Sequence, residues 1–223
     1  MRVMGKQNTS HAVMAQRFEA KDSLDDFPTP PWATRALLKH VIPNKDLARH
    51  SVWEPACGVG HMAKVLKEYF GRVDASDIFP YGHDEVMDFL GPQVVRDTDW
   101  IITNPPFRLA EAFALKALSL TKSGVALLVR TVFIESVGRH ERLFSRFKPA
   151  FVAQFTERVA MVRGRLDPKA STATGYAWIV WLKRPTTKTE LIWIPRCRKS
   201  LERPTDYLPL SSPQKSPSQP ALL

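Results

Sequence analysis

The spacing of apolar and polar residues changes period several times along the chain, and each change marks an element. An extended proline-rich stretch, FPTPPW, opens at Phe27 and passes after Pro31 into helical spacing at Ala36, Leu37 and Val41. SVWEPACGVGHMAKVLKEYF, residues 51–70, predicts a strand, a glycine turn and a helix. Short strands are predicted over 73–77 and 100–103, and a helix over 109–120. Residues 125–132, VALLVRTV, form a nearly continuous apolar run, which predicts a strand buried on both faces. A short basic helix over 139–147 follows, then strands over 151–156 and 176–183. In the last of these, Tyr176, Trp178 and Val180 share one face and Ala177, Ile179 and Trp181 the other, with both tryptophans assigned to the core.

Strand alternating with helix predicts an α/β fold of Rossmann-like form. Its sheet is mostly parallel and twisted, with helices on both faces. No helix of ordinary length separates the final two strands, so they are predicted to pair antiparallel. The chain divides into a loose N-terminal arm over 1–22, a folded domain over 23–185, and a basic proline-rich tail over 186–223 that is partly disordered.

Charge sharpens this division. Lysine and arginine total 32 against 22 aspartate and glutamate, a net +10. Residues 1–138 hold 16 of each sign, whereas residues 139–223 hold 16 basic against 6 acidic. The excess sits in the last two-fifths and points to a polyanionic partner. No apolar run is long enough to span a membrane, and the N-terminus lacks a secretory h-region. Cys57 and Cys197 lie far apart without a CxxC partner, and the six histidines show no ligand spacing, so no metal site is expected. A reduced cytoplasmic setting fits these features. Oligomeric state is not readable from the chain.

Two stretches carry candidate chemistry. In WEPACGVGHMA, Gly58 and Gly60 permit tight backbone geometry between a strand and a helix. Glu54 stands at the strand end, and Asp77 lies seventeen residues beyond Gly60 at the end of the next strand. A carboxylate there accepts hydrogen bonds from ribose hydroxyls. The acidic residue beside the glycines suits a cationic ligand such as S-adenosylmethionine, with NAD as the competing reading. The second stretch is IITNPPF, in which an apolar strand ends on Asn104, two prolines and Phe107. The prolines fix φ and cannot donate, so they make a stiff corner carrying an amide and a ring.

EPACGVG, Asp77 and NPPF in this order resemble the class I S-adenosylmethionine-dependent methyltransferases that modify exocyclic amino groups of nucleobases. The resemblance is nearest to small adenine-specific DNA methyltransferases carried by phages and mobile elements, and it covers residues 24–183. It implies a catalytic tetrapeptide at Asn104, Pro105, Pro106 and Phe107. It implies a cofactor turn at Glu54, Ala56, Gly58 and Gly60, with Asp77 on the ribose and Ile78 against the adenine. Phe27, Thr29 and Pro30 correspond to the segment that folds over the cofactor's methionine end. Asp88 corresponds to the ligand of the cofactor's adenine amino group, with Asp84 and Asp97 nearby. Arg158, Arg163, Arg165 and Lys169, between the last two strands, are expected to contact phosphates, and Arg130 and 139–146 to extend that basic surface. Tyr176 or Trp178 is a candidate second wall of the base pocket. The implied partner is nucleic acid, DNA ahead of RNA. Only fifteen residues separate Asp88 from Asn104 and no long insertion follows Phe107, so a separate target-recognition domain is not expected. RNA amino groups, a protein glutamine amide, or a nucleic-acid-binding protein without turnover are the alternatives.

Overall fold

The computed structural model describes residues 25–42, 46–82, 85–184 and 186–208. The expected arm over 1–22, Asp84, His11, His83 and the tail from 209 onward lie outside these residues. Seven strands form one sheet: β1 (Ser51–Glu54), β2 (Arg72–Ala75), β3 (Thr98–Thr103), β4 (Thr121–Arg130), β5 (Phe151–Phe155), β6 (Tyr176–Leu182) and β7 (Glu190–Ile194). Their order is β2-β1-β3-β4-β6-β5-β7. β6 runs antiparallel to β4 and β5, and every other pairing is parallel. The antiparallel strand is not the last one, because β7 follows it and pairs with β5.

Five α-helical segments accompany the sheet among the described residues: α1 (Pro31–His40), α2 (His61–Leu66), α3 (Ala110–Leu120), α4 (Val137–Arg139), which runs on into a π-helical turn over His140–Phe144, and α5 (Arg198–Leu201). Side chains alternate across a strand, so the apolar run of β4 divides between two cores. Ala126 and Leu128 join Trp32, Leu37, Val65 and Leu66 from α1 and α2 on one face. Val125, Leu127 and Val129 join Phe113, Ala114 and Ala117 from α3 on the other. β6 divides as its alternation predicts: Tyr176, Trp178 and Val180 enter the first core, Ile179 and Trp181 the second. Both indole N–H groups find carbonyls, Trp178 at Ala33 O (3.1 Å) and Trp181 at Phe147 O (2.8 Å). Tyr176 and Trp178 are both buried in the first core, Tyr176 next to the Phe107 ring.

The ordered chain extends past the expected domain boundary at 185. β7 widens the sheet, and the segment after it returns to α1. There Arg35, 3% exposed, donates to Asp206 at 2.8 and 2.9 Å and to Glu68 at 2.7 and 3.1 Å. Burial alone would raise the Asp206 carboxyl. The guanidinium, with the Arg203 N–H, offsets that and holds it below its ordinary range.

The chain runs from β1 to β2 on one side, then crosses to β3 on the other. Ligands of open α/β sheets bind at the carboxyl ends of strands beside such a reversal. Glu54, Asn104 and Arg130 lie at that edge, ending or following β1, β3 and β4. Because β6 is antiparallel, it starts there as well, and the basic loop over 156–175 lies along the same edge.

Candidate active site

Gly58 and Gly60 turn the chain from β1 into α2 with φ of +51° and +92°, the left-handed region that glycine enters without strain. Asp77 secures the turn by accepting from Gly58 N at 2.9 Å and from Phe79 N at 3.0 Å. A cavity with about 870 Å³ of empty space, its mouth included, opens beneath it. Phe27, Thr29, Glu54, Ala56, Gly58, Asp77, Ile78 and Asp88 line it, as do Asn104 and Pro106. Pro30, Gly60 and Pro105 do not: Pro30 and Gly60 precede the first turns of α1 and α2, and Pro105 is buried in the corner.

This cavity is acidic. Asp25, Asp26, Glu54, Asp77 and Asp88 face it, and His61 is the one basic-type side chain among its lining residues. Glu54 is 2% exposed, and burial pushes its carboxyl well above the usual range; Ala63 N–H opposes the shift and Asp77 adds to it. Asp26 is raised by burial and by Asp77, with Arg163 pulling the other way. Tyr81 is pushed up to about 12 by burial and by the charges of Asp26 and Asp77. Three buried oxygens lining this space have no partner among the described residues: Thr29 Oγ1, Glu54 Oε2 and Asn104 Oδ1. Such atoms are rare in native interiors, where a ligand or ordered water supplies the missing bonds. The carboxylates and the orphaned acceptors fit a ligand that is cationic and rich in donors.

The corner after β3 is fixed from two sides. Asn104 Nδ2 donates to Phe27 O at 2.9 Å, which turns its oxygen the other way. Phe107 N donates to Asp25 Oδ2 at 2.6 Å. Asp25 and Phe27, just before and at the start of FPTP, therefore tie down both ends of NPPF. Two adjacent aspartates ahead of that segment were the sequence signal for this role.

Phe107 is outside the cavity. It lines a second groove together with Arg108, Ala110, Val129, Arg130, Val132, Phe133 and Arg139. Its ring lies 5.6 Å from that of Phe27 and 6.2 Å from that of Tyr176. The Arg130 guanidinium stands 3.9 Å over it. The face expected to hold a base is thus covered by a residue assigned from sequence only to the wider basic surface. Arg158, Arg163, Arg165 and Lys169 are exposed on the loop between β5 and β6. Arg165 pairs with Asp167 at 3.4 Å, and the Arg163 charge acts on Asp26 at the cavity. Arg158 lies by the start of β6, where a Cβ on Gly175 would lie 3.3 Å from its Nη1.

No protein-family model and no curated protein matches the sequence. Solved structures do. A protein assigned as a modification subunit of a type I restriction enzyme from Vibrio vulnificus superimposes with a TM-score of 0.53 at 16% identity, over 81% of this chain and 49% of that one. The type I restriction-modification methyltransferase subunit from Streptococcus thermophilus gives 0.53 at 13%, over 74% and 46%. A protein assigned as an RNA methyltransferase from Pyrococcus horikoshii gives 0.50 at 14%, over 71% and 82%. This chain therefore has the Rossmann-like fold of these methyltransferases, and it spans about half the length of the two restriction subunits.

Proposed function

We propose that the protein is an S-adenosylmethionine-dependent methyltransferase acting on the exocyclic N6 amino group of adenine in DNA. One observation carries this reading. The Asn104 amide is held by Phe27, its oxygen is buried in an acid-lined cavity without a partner among the described residues, and, three residues on, Phe107 lines an arginine-rich groove. The cavity's carboxylates suit a cationic cofactor, and the groove suits a polyanion. When bound, S-adenosylmethionine supplies an electrophilic methyl group on a sulfonium. Asp77 would hold its ribose hydroxyls, Asp88 and Ile78 its adenine, and Glu54 and Asp26 its cationic methionine end.

The chain's own task is to make the amino nitrogen nucleophilic and hold it in line. The lone pair of an exocyclic amine is delocalised into the ring. Two acceptors aimed at its N–H bonds favour the pyramidal form, in which the lone pair is available. Asn104 Oδ1 supplies one, and the Pro105 carbonyl, stiffened by two prolines, supplies the other. These acceptors are in place before reaction, so little reorganisation is required. Asn104 is neutral and takes no proton. The nitrogen loses one to water after the methyl is transferred and the amine has become acidic. Phe107 stacks on the base. Positioning contributes on the order of several kcal/mol to the barrier reduction. A base within a duplex must first be extruded, at a cost of about a few kcal/mol.

The test uses full-length protein with labelled S-adenosylmethionine and, separately, duplex DNA, single-stranded DNA and total RNA, each then digested to nucleosides. N6-methyladenine from DNA, lost in Asn104→Ala, is the expected result. Label in RNA alone moves the substrate to RNA. Cofactor binding with no transfer to any nucleic acid overturns the reading in favour of a protein amide substrate or a binding protein without turnover.

A further inference from the structure

Arg130 is the last residue of β4, at the edge where the site lies. Its guanidinium covers the Phe107 ring at 3.9 Å, and that ring lies 6.2 Å from the Tyr176 ring. Its Nε is buried with no hydrogen-bond partner among the described residues. No carboxylate lies within ion-pairing distance of it among those residues, whereas Arg139 and Arg142 both engage Glu111. A half-buried guanidinium whose Nε is shut off from water without a partner is a costly arrangement, one that binding of an anion relieves. The surroundings favour an anion. Arg108 and Arg139 line the same groove, which contains no acidic side chain. Val132, 59% exposed, adds an apolar rim to it.

The position of Arg130 also conflicts with the proposed role of Phe107. A base cannot stack on that ring while the guanidinium covers it. The conflict resolves if the guanidinium leaves as the base arrives. We infer that Arg130 is a ligand for a substrate backbone phosphate which, without substrate, is parked on the base-stacking face of Phe107. This rests on the methyltransferase reading and adds to it a residue that couples base entry to backbone binding. In the free protein the planar guanidinium fills the space of the planar base. On binding, the base displaces it, and its charge passes to a phosphate near the extruded nucleotide, beside Arg108 and Arg139.

The parked state gives opposite signs for two ligands. In Arg130→Ala the Phe107 face is open but one phosphate ligand is gone. A free nucleoside, 2-aminopurine riboside, should bind several-fold more tightly than to the wild type. A single-stranded oligonucleotide containing 2-aminopurine should bind about tenfold more weakly, with its salt slope reduced by about 0.7. Arg130→Lys keeps the charge without the planar group. It should bind the nucleoside more tightly while retaining the wild-type salt slope, and it serves if the alanine variant melts early. Both ligands weakening together, or neither changing, assigns Arg130 to packing and overturns the inference. Methyl transfer measured on the same wild-type preparation separates the two ideas. Transfer without the opposite-sign pattern removes only the parking role of Arg130. Absence of both transfer and oligonucleotide binding removes the functional reading and this inference with it.

Discussion

The two spaces on either side of the Asn104–Phe107 corner differ in sign. One is lined by Asp25, Asp26, Glu54, Asp77 and Asp88, the other by Arg108, Arg130 and Arg139 with no acidic residue. Each holds a buried polar atom without a partner among the described residues, Glu54 Oε2 on one side and Arg130 Nε on the other. Asn104 Oδ1 lies at the corner itself. The separation is produced by one rigid turn of four residues, not by distance or by a second domain. A cationic donor and an anionic acceptor attracted to the same sheet edge would otherwise compete for the same surface. Under the proposed function, the corner would sort them by charge before any base-specific contact forms.

Breaking the corner should have the largest effect. Asn104→Ala is expected to lower the rate of methyl transfer by about a hundredfold to a thousandfold, the range for loss of one preorganised hydrogen-bonding group. Cofactor affinity by equilibrium titration should hardly move, since the acidic residues remain. Next is a change outside both spaces. Asp206→Ala leaves Arg35 buried with Glu68 as its remaining carboxylate. It should cost about 3 kcal/mol, and thermal unfolding should shift down by about 10 °C. Cofactor affinity measured below the transition should stay at the wild-type value.

Glu54→Gln sharpens the acidic side. Burial raises the Glu54 carboxyl, so the folded protein holds that proton more tightly than the unfolded chain does. Stability of the cofactor-free protein therefore falls as pH climbs from the ordinary glutamate value of about 4.3 toward the raised folded one. Unfolding midpoints across that window should show the slope in the wild type and its loss in the variant. A bound cation favours the carboxylate, so wild-type cofactor affinity should rise with pH. The variant should lose this dependence and about tenfold in affinity. Arg108→Ala should be the mildest. Exposed at the groove rim, it should reduce the salt slope of single-stranded DNA binding by about 0.7 and leave the cofactor titration unchanged.

The parts of the molecule that repeat locally were legible in the sequence. β4 and β6 could be read by parity, because each buries both faces and its residues alternate between two cores. The turn at Gly58 and the corner at Asn104 were legible because glycine and proline constrain backbone in known ways. β7 was not, because Leu191 and Trp193 are exposed and prolines flank the strand, so it lacks a burial signature. The link from Arg35 to Asp206 spans 171 residues and leaves no local trace. Phe107 shows the same limit. Its ring could be assigned to stacking, but only the fold brings the end of β4 over it.

The bond from Asn104 to the Phe27 carbonyl has a consequence for the order of events during synthesis. Residues 25–30 leave the ribosome long before β3 exists, and β3 long before β7 completes the sheet. The segment that aims the amide must therefore wait, and it is seated only after the strands it covers have assembled. A protein shortened to begin at residue 30 would keep every strand and helix of the sheet. It would lose the carbonyl that orients Asn104 and the carboxylate that holds Phe107 N. Such a chain would be folded yet unarmed, so that fold and competence are acquired at separate moments from opposite ends of one domain.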